Sequence, residues 1–174
     1  MNRPSKPRLI VGISGASGVV YGVQALKILR KIGVETHLVV SQAGRLTAHY
    51  EMGLDVKALN ELADFSYGAG DVGAAISSGS FRTLGMIVAP CSMRSLSEVA
   101  SGVTTGLLTR AADVVLKERR RLVLMVRETP LHTGHLRSMT AASEMGAIIY
   151  PPVPAFYSEP ETIDDIVNLS LIHI

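Results

Sequence analysis

The stretch Leu9-Ile10-Val11-Gly12-Ile13-Ser14-Gly15-Ala16-Ser17-Gly18 runs from an apolar strand pattern directly into a loop of small residues. Apolar residues at helical spacing then predict an amphipathic helix from about Val19 to Lys31. The glycines permit positive φ and close backbone approach, and backbone N–H groups at a helix start attract anions. The loop therefore favours a phosphate-bearing ligand, against the alternative of a tight turn that only packs a helix onto a sheet.

The spacing of the loop glycines narrows the choice of ligand. Gly12, Gly15 and Gly18 do not follow the dinucleotide pattern G-x-G-x-x-G. No acidic residue follows the second predicted strand to hold a ribose. A mononucleotide or a small phosphate compound fits better than a dinucleotide.

Composition limits the class of protein. The chain has 174 residues, 47% of them hydrophobic and only 18% charged, below the roughly 25% charged residues usual in soluble domains. This deficit indicates a sheet covered on both faces or subunit interfaces. The net charge of +2 and the few aromatic residues argue against nucleic-acid binding.

Cysteine usage and the chain start predict a cytoplasmic location. Cys91 is the only cysteine, which excludes an internal disulfide and fits a reducing compartment. The first eight residues are polar and do not resemble a signal peptide. The uncharged stretch between Arg8 and Lys27 is interrupted by glycine and serine, so we expect a soluble protein with no membrane association.

Strand and helix patterns alternate along the whole chain. After the first strand and helix, further strands are predicted at 34–40, 86–89, 122–126 and 147–150. Helices are predicted at 42–50, 56–63, 96–100, 107–118, 131–145 and from 162 onward. This alternation predicts a single α/β domain over 1–174, Rossmann-like, with three αβα layers and a mostly parallel central sheet. The last helix is still running at the chain end, so we expect a truncated C-terminal helix.

Three further segments carry candidate chemistry. The turn Pro90-Cys91-Ser92 ends a buried strand and predicts an anion- or ring-binding loop, with Cys91 as a structural thiol rather than a nucleophile. One face of a predicted helix carries Arg110, Asp113 and Lys117. These residues either form ordinary surface ion pairs or present two cations to a phosphate, with Asp113 orienting one of the cations. A charged pair, Arg127 and Glu128, follows another predicted strand. The arginine is suited to bind a phosphate or a ring. The glutamate is suited either to transfer a proton or to lie at the N-terminus of a helix.

The histidines do not form a metal signature. His132 and His135 are three residues apart on a predicted helix, but no cysteine or carboxylate lies at metal-site spacing from them. We predict no metal.

Taken together, five motifs resemble the UbiX/Pad1 family of flavin prenyltransferases, also described as one of the components of hydroxyarylic acid decarboxylases. The resemblance covers the chain from Arg8 to Val167. The motifs are Ser14-Gly15-Ala16-Ser17-Gly18, Pro90-Cys91-Ser92, Arg110-Ala111-Ala112-Asp113 with Lys117-Glu118, Arg127-Glu128-Thr129-Pro130 and Pro154-Ala155-Phe156-Tyr157.

The resemblance implies a metal-independent enzyme that binds FMN. It would transfer a dimethylallyl group from dimethylallyl monophosphate to N5 and C6 of reduced FMN. The product, prenylated FMN, would serve a UbiD-type decarboxylase as its cofactor. The resemblance also implies a homo-oligomer, a dodecamer with sites at subunit junctions.

The resemblance also assigns roles to residues. Those implied to hold FMN are Gly15, Ala16, Ser17, Ser41, Ser92, Met93, Arg94, Ser95 and Arg127. Those implied to bind the phosphate of dimethylallyl monophosphate are Arg110, Lys117, Tyr157 and His173. The implied catalytic residues are Ser17, Glu51, Arg110, Lys117 and Glu128, with Glu128 as the proton carrier.

The chain departs from the family pattern at two places. His173 stands where family members carry an arginine for the prenyl phosphate, and His135-Leu136-Arg137-Ser138 replaces a common His-Leu-Glu-Asn. Losing a bidentate cation would weaken phosphate binding by a few kcal/mol.

Two other functions stay open. A peptidyl-cysteine type decarboxylase would need a catalytic histidine after the second strand and an asparagine-rich clamp, whereas Ser41-Gln42-Ala43 stands there. A non-catalytic flavin carrier would bind FMN without transferring a prenyl group.

Overall fold

The computed structural model describes residues 6–172. The strands are β1 (Arg8–Ile13), β2 (Glu35–Val40), β3 (Phe65–Tyr67), β4 (Gly85–Cys91), β5 (Arg121–Val126) and β6 (Ala147–Ile149). The helices are α1 (Val19–Lys31), α2 (Gln42–Met52), α3 (Val56–Glu61), α4 (Met93–Ser101), α5 (Leu107–Lys117), α6 (Thr133–Glu144) and α7 (Ile163–Ile172). Within this part of the chain, no helix is long and apolar enough to cross a membrane.

The strands form one parallel sheet in the order β3-β2-β1-β4-β5-β6. β1 lies at the centre and pairs with β2 on one side and β4 on the other. The chain proceeds outward from β1 towards β3, and then outward from β4 towards β6. The loops after β1 and β4 therefore lead to opposite faces and leave a crevice between them. This architecture confirms the predicted α/β, Rossmann-like fold.

Helices cover both faces of the sheet. Successive strand residues point to opposite faces, so Ile10 packs with α4, α5 and α6, whereas Val11 packs with α1, α2, α3 and α7. Both side chains are at most 2% exposed. A sheet buried on two faces needs near-continuous apolar strands, which accounts for part of the low charged fraction.

The predicted elements agree with the structure except for one edge strand and some element boundaries. No strand is predicted at 65–67, yet β3 forms there and pairs with His37, Leu38 and Val39. It has only three residues, two of them exposed, so it lacks the apolar run that marks the central strands. α4 begins at Met93, three residues earlier than predicted, because Ser92 caps its start.

A buried polar network lies on β2. His37 is 2% exposed, and its Nδ1 and Nε2 lie 2.9 Å from Tyr67 Oη and 3.0 Å from Glu35 Oε1. The ring stacks on Phe65. Burial lowers the pKa of His37, and the hydrogen bond to Glu35 only partly opposes this shift.

Candidate active site

A cavity of about 910 Å³ opens in the crevice at the carboxyl ends of β1 and β4. The loop after β1 and the first turns of α2 and α4 form its walls. The predicted FMN residues that line it are Gly15, Ser41, Ser92, Arg94 and Ser95. Ala16, Ser17, Met93 and Arg127 are not among its lining residues. The structure thus brings five of the nine predicted flavin residues into one cavity.

Ser14 ties the two loops of the crevice together. Its hydroxyl donates to Pro90 O at 3.0 Å and accepts from Ser92 N at 2.7 Å. Its own N–H also donates to Pro90 O, at 3.1 Å. The side chain is fully buried, so these hydrogen bonds are shielded from water.

The glycines of the first loop have different roles. A Cβ added at Gly15 would lie 2.3 Å from Ala43 Cβ, so the close approach predicted for this loop occurs there. Of the three loop glycines, only Gly18 has a positive φ, 101°. The expectation of positive φ therefore holds at one position only, because Gly12 belongs to β1 and has ordinary strand geometry.

A carboxylate of this chain occupies the start of α1. The two Glu51 oxygens accept from Gly18 N at 3.1 and 3.0 Å, and one also accepts from Val19 N at 3.0 Å. The N–H groups expected to bind a ligand phosphate are thus already paired with an internal anion. Ser17, which the resemblance assigns to FMN binding and to catalysis, is exposed directly beside this contact.

Two serines cap the helices that border the cavity. Ser41 Oγ accepts from Gly44 N at 3.0 Å, and Ser92 Oγ accepts from Ser95 N at 3.3 Å. Each hydroxyl satisfies one of the unpaired N–H groups at its helix start. Neither first turn contains an acidic residue, so the positive dipole end of each helix is not neutralised locally.

Glu98 organises the far wall of the cavity. One carboxylate oxygen pairs with Arg94 Nε at 3.0 Å, and the other accepts from Thr105 Oγ1 at 2.7 Å and Thr109 Oγ1 at 3.1 Å. Partial burial raises the pKa of Glu98, but the hydrogen bonds from these three partners together hold it below its usual range. The ionised carboxylate links α4 to the start of α5.

The helix α5 separates the residues predicted for the prenyl phosphate. Arg110 Nη1 lies 2.7 Å from Asp113 Oδ2, so Asp113 orients one cation, as predicted for the stripe. Lys117 is paired with Glu118 and lies at the other end of α5, next to the loop that contains Gly79. Lys117 is the last residue of α5 and precedes β5, so it lies near the amino ends of the strands. Ser17, in contrast, lies at their carboxyl ends. Within one chain, Lys117 is not brought to Ser17.

Three other predicted residues are exposed at the rim. Arg127 follows β5, and its N–H donates to Cys91 O at 3.0 Å. Glu128 accepts from the adjacent Thr129 N at 3.0 Å. The helix-terminus interpretation of Glu128 is wrong, because α6 begins only at Thr133. Tyr157 is 80% exposed in a short 3-10 turn.

The remaining predictions concern the thiol, the metal and the chain end. Cys91 is buried, and burial raises its pKa to about 12, as expected of a structural thiol. Among residues 6–172, no three His, Cys, Asp or Glu side chains are grouped as a metal site would require. His173, expected at the prenyl phosphate, lies outside the described residues.

Sequence reasoning missed two residues that line the cavity, namely Arg45 and Glu98. Arg45 stands four residues after Ser41 and therefore on the same helix face. Glu98 had one local signal, its i,i+4 spacing from Arg94, whereas its two threonine partners come seven and eleven residues later in the chain.

Comparison with known proteins identifies the family. The flavoprotein family model matches residues 2–171. The flavin prenyltransferase UbiX of Escherichia coli K12 is 60% identical over 162 residues, which span 92% of this chain and 86% of that protein. AnUbiX (PadA1), crystallised with FMN and dimethylallyl pyrophosphate, superposes with a TM-score of 0.94 at 46% identity, covering 95% of this chain and 88% of the other. A dodecameric FMN-dependent UbiX-like decarboxylase from Escherichia coli O157:H7 gives a TM-score of 0.93 at 51% identity, covering 95% and 90%.

Proposed function

Because the chain belongs to the flavoprotein family and, within it, to the UbiX flavin prenyltransferases, we propose that it prenylates FMN. It transfers a dimethylallyl group from dimethylallyl monophosphate to N5 and C6 of reduced FMN. The observation that carries this proposal is the cavity between β1 and β4, where five predicted flavin residues meet.

The cavity suits FMN in shape and in charge. Gly15 allows the first loop to approach α2 more closely than any residue with a Cβ would. Two helix starts without acidic residues face the same space and favour a phosphate. When bound, reduced FMN supplies the electron-rich N5 and C6 positions that accept the prenyl group.

The cations Arg110 and Lys117 would serve the departing phosphate. Loss of phosphate from an allylic substrate leaves a carbocation-like fragment, so positive side chains must stabilise the phosphate as it leaves. Asp113 fixes the direction of Arg110 by a 2.7 Å contact. Tyr157 and Ser17 would add hydroxyl donors from the rim.

Assembly of several copies would complete the site. Lys117 lies far from Ser17 within one chain, and the rim carries exposed apolar side chains, with Val153 70% and Phe156 76% exposed. Apolar surface of this kind is typical of subunit interfaces. We propose that this chain forms a homo-oligomer, a dodecamer like that of the UbiX-like protein of Escherichia coli O157:H7. In this assembly, Lys117 of one copy of this chain would lie at the rim of the cavity of another copy.

Glu51 and Glu128 divide the acidic roles. The Glu51 carboxylate is fixed by Gly18 N and Val19 N, so it holds the first loop and helix start in place. Glu128 is exposed at the rim and bonds only to the adjacent Thr129 N–H within the described residues. A carboxylate held so loosely is free to carry a proton to or from the reacting centre.

The product would serve a second enzyme. Prenylated FMN would be consumed as a cofactor by a UbiD-type decarboxylase, which receives it from this protein.

One experiment tests the proposed function against a flavin carrier. The protein is incubated anaerobically with reduced FMN and dimethylallyl monophosphate, and the mass of the flavin is then measured. We expect a gain of one five-carbon prenyl unit. Bound FMN of unchanged mass would refute the proposal and leave the carrier function. The peptidyl-cysteine decarboxylase function is disfavoured, because Ser41-Gln42-Ala43 stands where that class needs a histidine.

A further inference from the structure

The backbone at the end of α5 is closed by a fixed hydrogen-bond motif. Arg119 N donates to Leu116 O at 2.9 Å. Arg120 N donates to Val115 O, also at 2.9 Å. Arg119 has a positive φ of 57°, as the residue beyond a helix end has in a Schellman motif. Because these bonds fix the last turn of the helix, the directions in which the Lys117 and Arg120 side chains leave the backbone are set together.

The side chain of Arg120 holds a distant turn against this helix end. Its Nη1 donates to Phe81 O and its Nη2 to Gly79 O, each at 2.7 Å. The 78–81 turn is itself closed by a bond from Phe81 N to Ser78 O at 3.2 Å. Among residues 6–172, no carboxylate lies within 4.0 Å of Arg120, so its guanidinium serves these two carbonyls.

Phe81 anchors the other side of the 78–81 turn. Its ring is partly buried and packs against the core that α4, α5 and α6 form with the sheet. The guanidinium carbon of Arg8 lies 4.8 Å from the ring centre, and the His37 ring meets it edge-on at 4.9 Å between centroids. Arg120 therefore joins an anchored turn to a fixed helix end.

Lys117 lies against this turn at the residue that has no side chain. A Cβ at Gly79 would lie 2.8 Å from Lys117 Nζ and would overlap the Glu118 carboxylate. Both contacts are with the far ends of flexible side chains, so an added methyl group would displace these ends rather than the backbone. The Lys117 ammonium thus occupies a position that only glycine leaves open.

Two cations and one anion meet at this helix end. The hydrogen bond and the charge of Lys117 hold the pKa of Glu118 below its usual value, so Glu118 is ionised at neutral pH. With Arg120 included, one positive charge remains uncompensated among the three groups. Lys117 is 47% exposed, whereas Arg120 faces the two carbonyls, so Lys117 is the cation that a phosphate can reach.

We propose that Arg120 is a positioning residue for prenyl transfer, which fixes the 78–81 turn and thereby holds the Lys117 ammonium in place for the phosphate of dimethylallyl monophosphate. This inference rests on the proposed function, which assigns Lys117 to that phosphate. The guanidinium of Arg120 faces the turn, so it acts through Lys117 and not on the substrate. A displacement of about 1 Å in such a group lowers the rate up to about a hundredfold.

Binding of dimethylallyl monophosphate to the protein loaded with oxidised FMN tests this role without prenyl transfer, and calorimetry measures it. We expect Arg120→Gln to raise the Kd for dimethylallyl monophosphate about ten- to a hundredfold and to leave the Kd for FMN unchanged. Arg120→Lys keeps a donor for one carbonyl and should fall between the two proteins. Arg121→Gln removes the same charge from the next, exposed position and serves as the matched control, with both affinities unchanged.

A double-mutant cycle separates positioning of Lys117 from a general structural role. Lys117→Met should weaken binding of dimethylallyl monophosphate by itself. Adding Arg120→Gln to Lys117→Met should then change the Kd by less than about twofold, because the group that Arg120 positions is already absent. Gly79→Ala should also raise the Kd, and it replaces Arg120→Gln in the same cycle if that variant does not fold.

Three results would overturn the proposal. They are an unchanged Kd for Arg120→Gln, losses that multiply in the double variant, and no binding of dimethylallyl monophosphate to the unsubstituted protein. Failure of the proposed function looks different, since the unsubstituted protein would then bind dimethylallyl monophosphate while the flavin mass stays unchanged.

Discussion

Replacing Glu51 by alanine should destabilise the protein and create a phosphate site at the start of α1. The carboxylate accepts from Gly18 N and Val19 N at 3.0 Å and thereby caps the helix from outside. Removing an N-cap acceptor costs about 0.5–2 kcal/mol, and the exposure of Glu51 favours the lower half of this range. A loss of about 1 kcal/mol corresponds to a fall in Tm of about 3 °C for a chain of this length.

The same substitution frees N–H groups that bind anions. Inorganic phosphate at ten times its dissociation constant would restore about 1.4 kcal/mol by mass action. We therefore expect phosphate to raise the Tm of Glu51→Ala by more than it raises the Tm of the unsubstituted protein. Scanning calorimetry in phosphate and in an uncharged buffer measures both values.

Glu61→Ala is the matched control, since Glu61 is an exposed helical carboxylate whose one ion pair within residues 6–172 is with Lys57, at 4.0 Å. Its stability should stay within about 0.5 kcal/mol of the unsubstituted protein. Unchanged stability of Glu51→Ala would refute the capping role. Equal gains in phosphate for Glu51→Ala and the unsubstituted protein would show that the helix start does not bind the anion.

Three other substitutions test separate parts of the structure. Glu128→Gln should retain FMN yet form prenylated flavin more slowly, and normal turnover would remove Glu128 from the mechanism. Gly15→Ala should weaken FMN binding and destabilise the fold by about 1–3 kcal/mol, because its Cβ would overlap Ala43. A titration with FMN measures the affinity, and a urea melt measures the stability. Unchanged values of both would contradict the close approach of the loop to α2. Burial lowers the pKa of His37 below 6.5, so the unfolded chain binds the proton more readily and stability falls as pH drops below about 6.5. His37→Phe should lose less stability than the unsubstituted protein between about pH 7 and pH 5; equal losses in urea melts would show that His37 does not contribute.

The fold could be predicted because its central strands are buried on both faces. A run such as Met86-Ile87-Val88-Ala89 is typical of a strand in the middle of a parallel sheet, and a serine or glycine directly follows each of the first four strands. The edge strand β3 was missed because edge pairing needs few apolar residues. Propensity within three residues is too weak to identify such a strand.

The candidate site could be predicted where it depends on local sequence. Ser41 and Ser92 follow buried strands and start helices, which places them at the ligand edge of the sheet, and the family resemblance assigns both to the flavin. The two threonine partners of Glu98 are set by how α4 packs against the start of α5, which no local pattern shows. Lys117 lies on the same helix face as Arg110. This face extends along the whole of α5, so that Lys117 lies near the amino ends of the strands, away from the cavity.

The buried hydroxyl of Ser14 has a consequence for the thermodynamics of ligand capture. By bonding to both Pro90 O and Ser92 N, it fixes the separation of two loops that the sheet topology would otherwise let diverge. Ordering one flexible residue costs about 1–2 kcal/mol of conformational entropy. A ligand that spans these loops meets them already ordered, so most of its contact energy appears as affinity. Ser14 thereby preorganises a cavity whose ligand it need not touch.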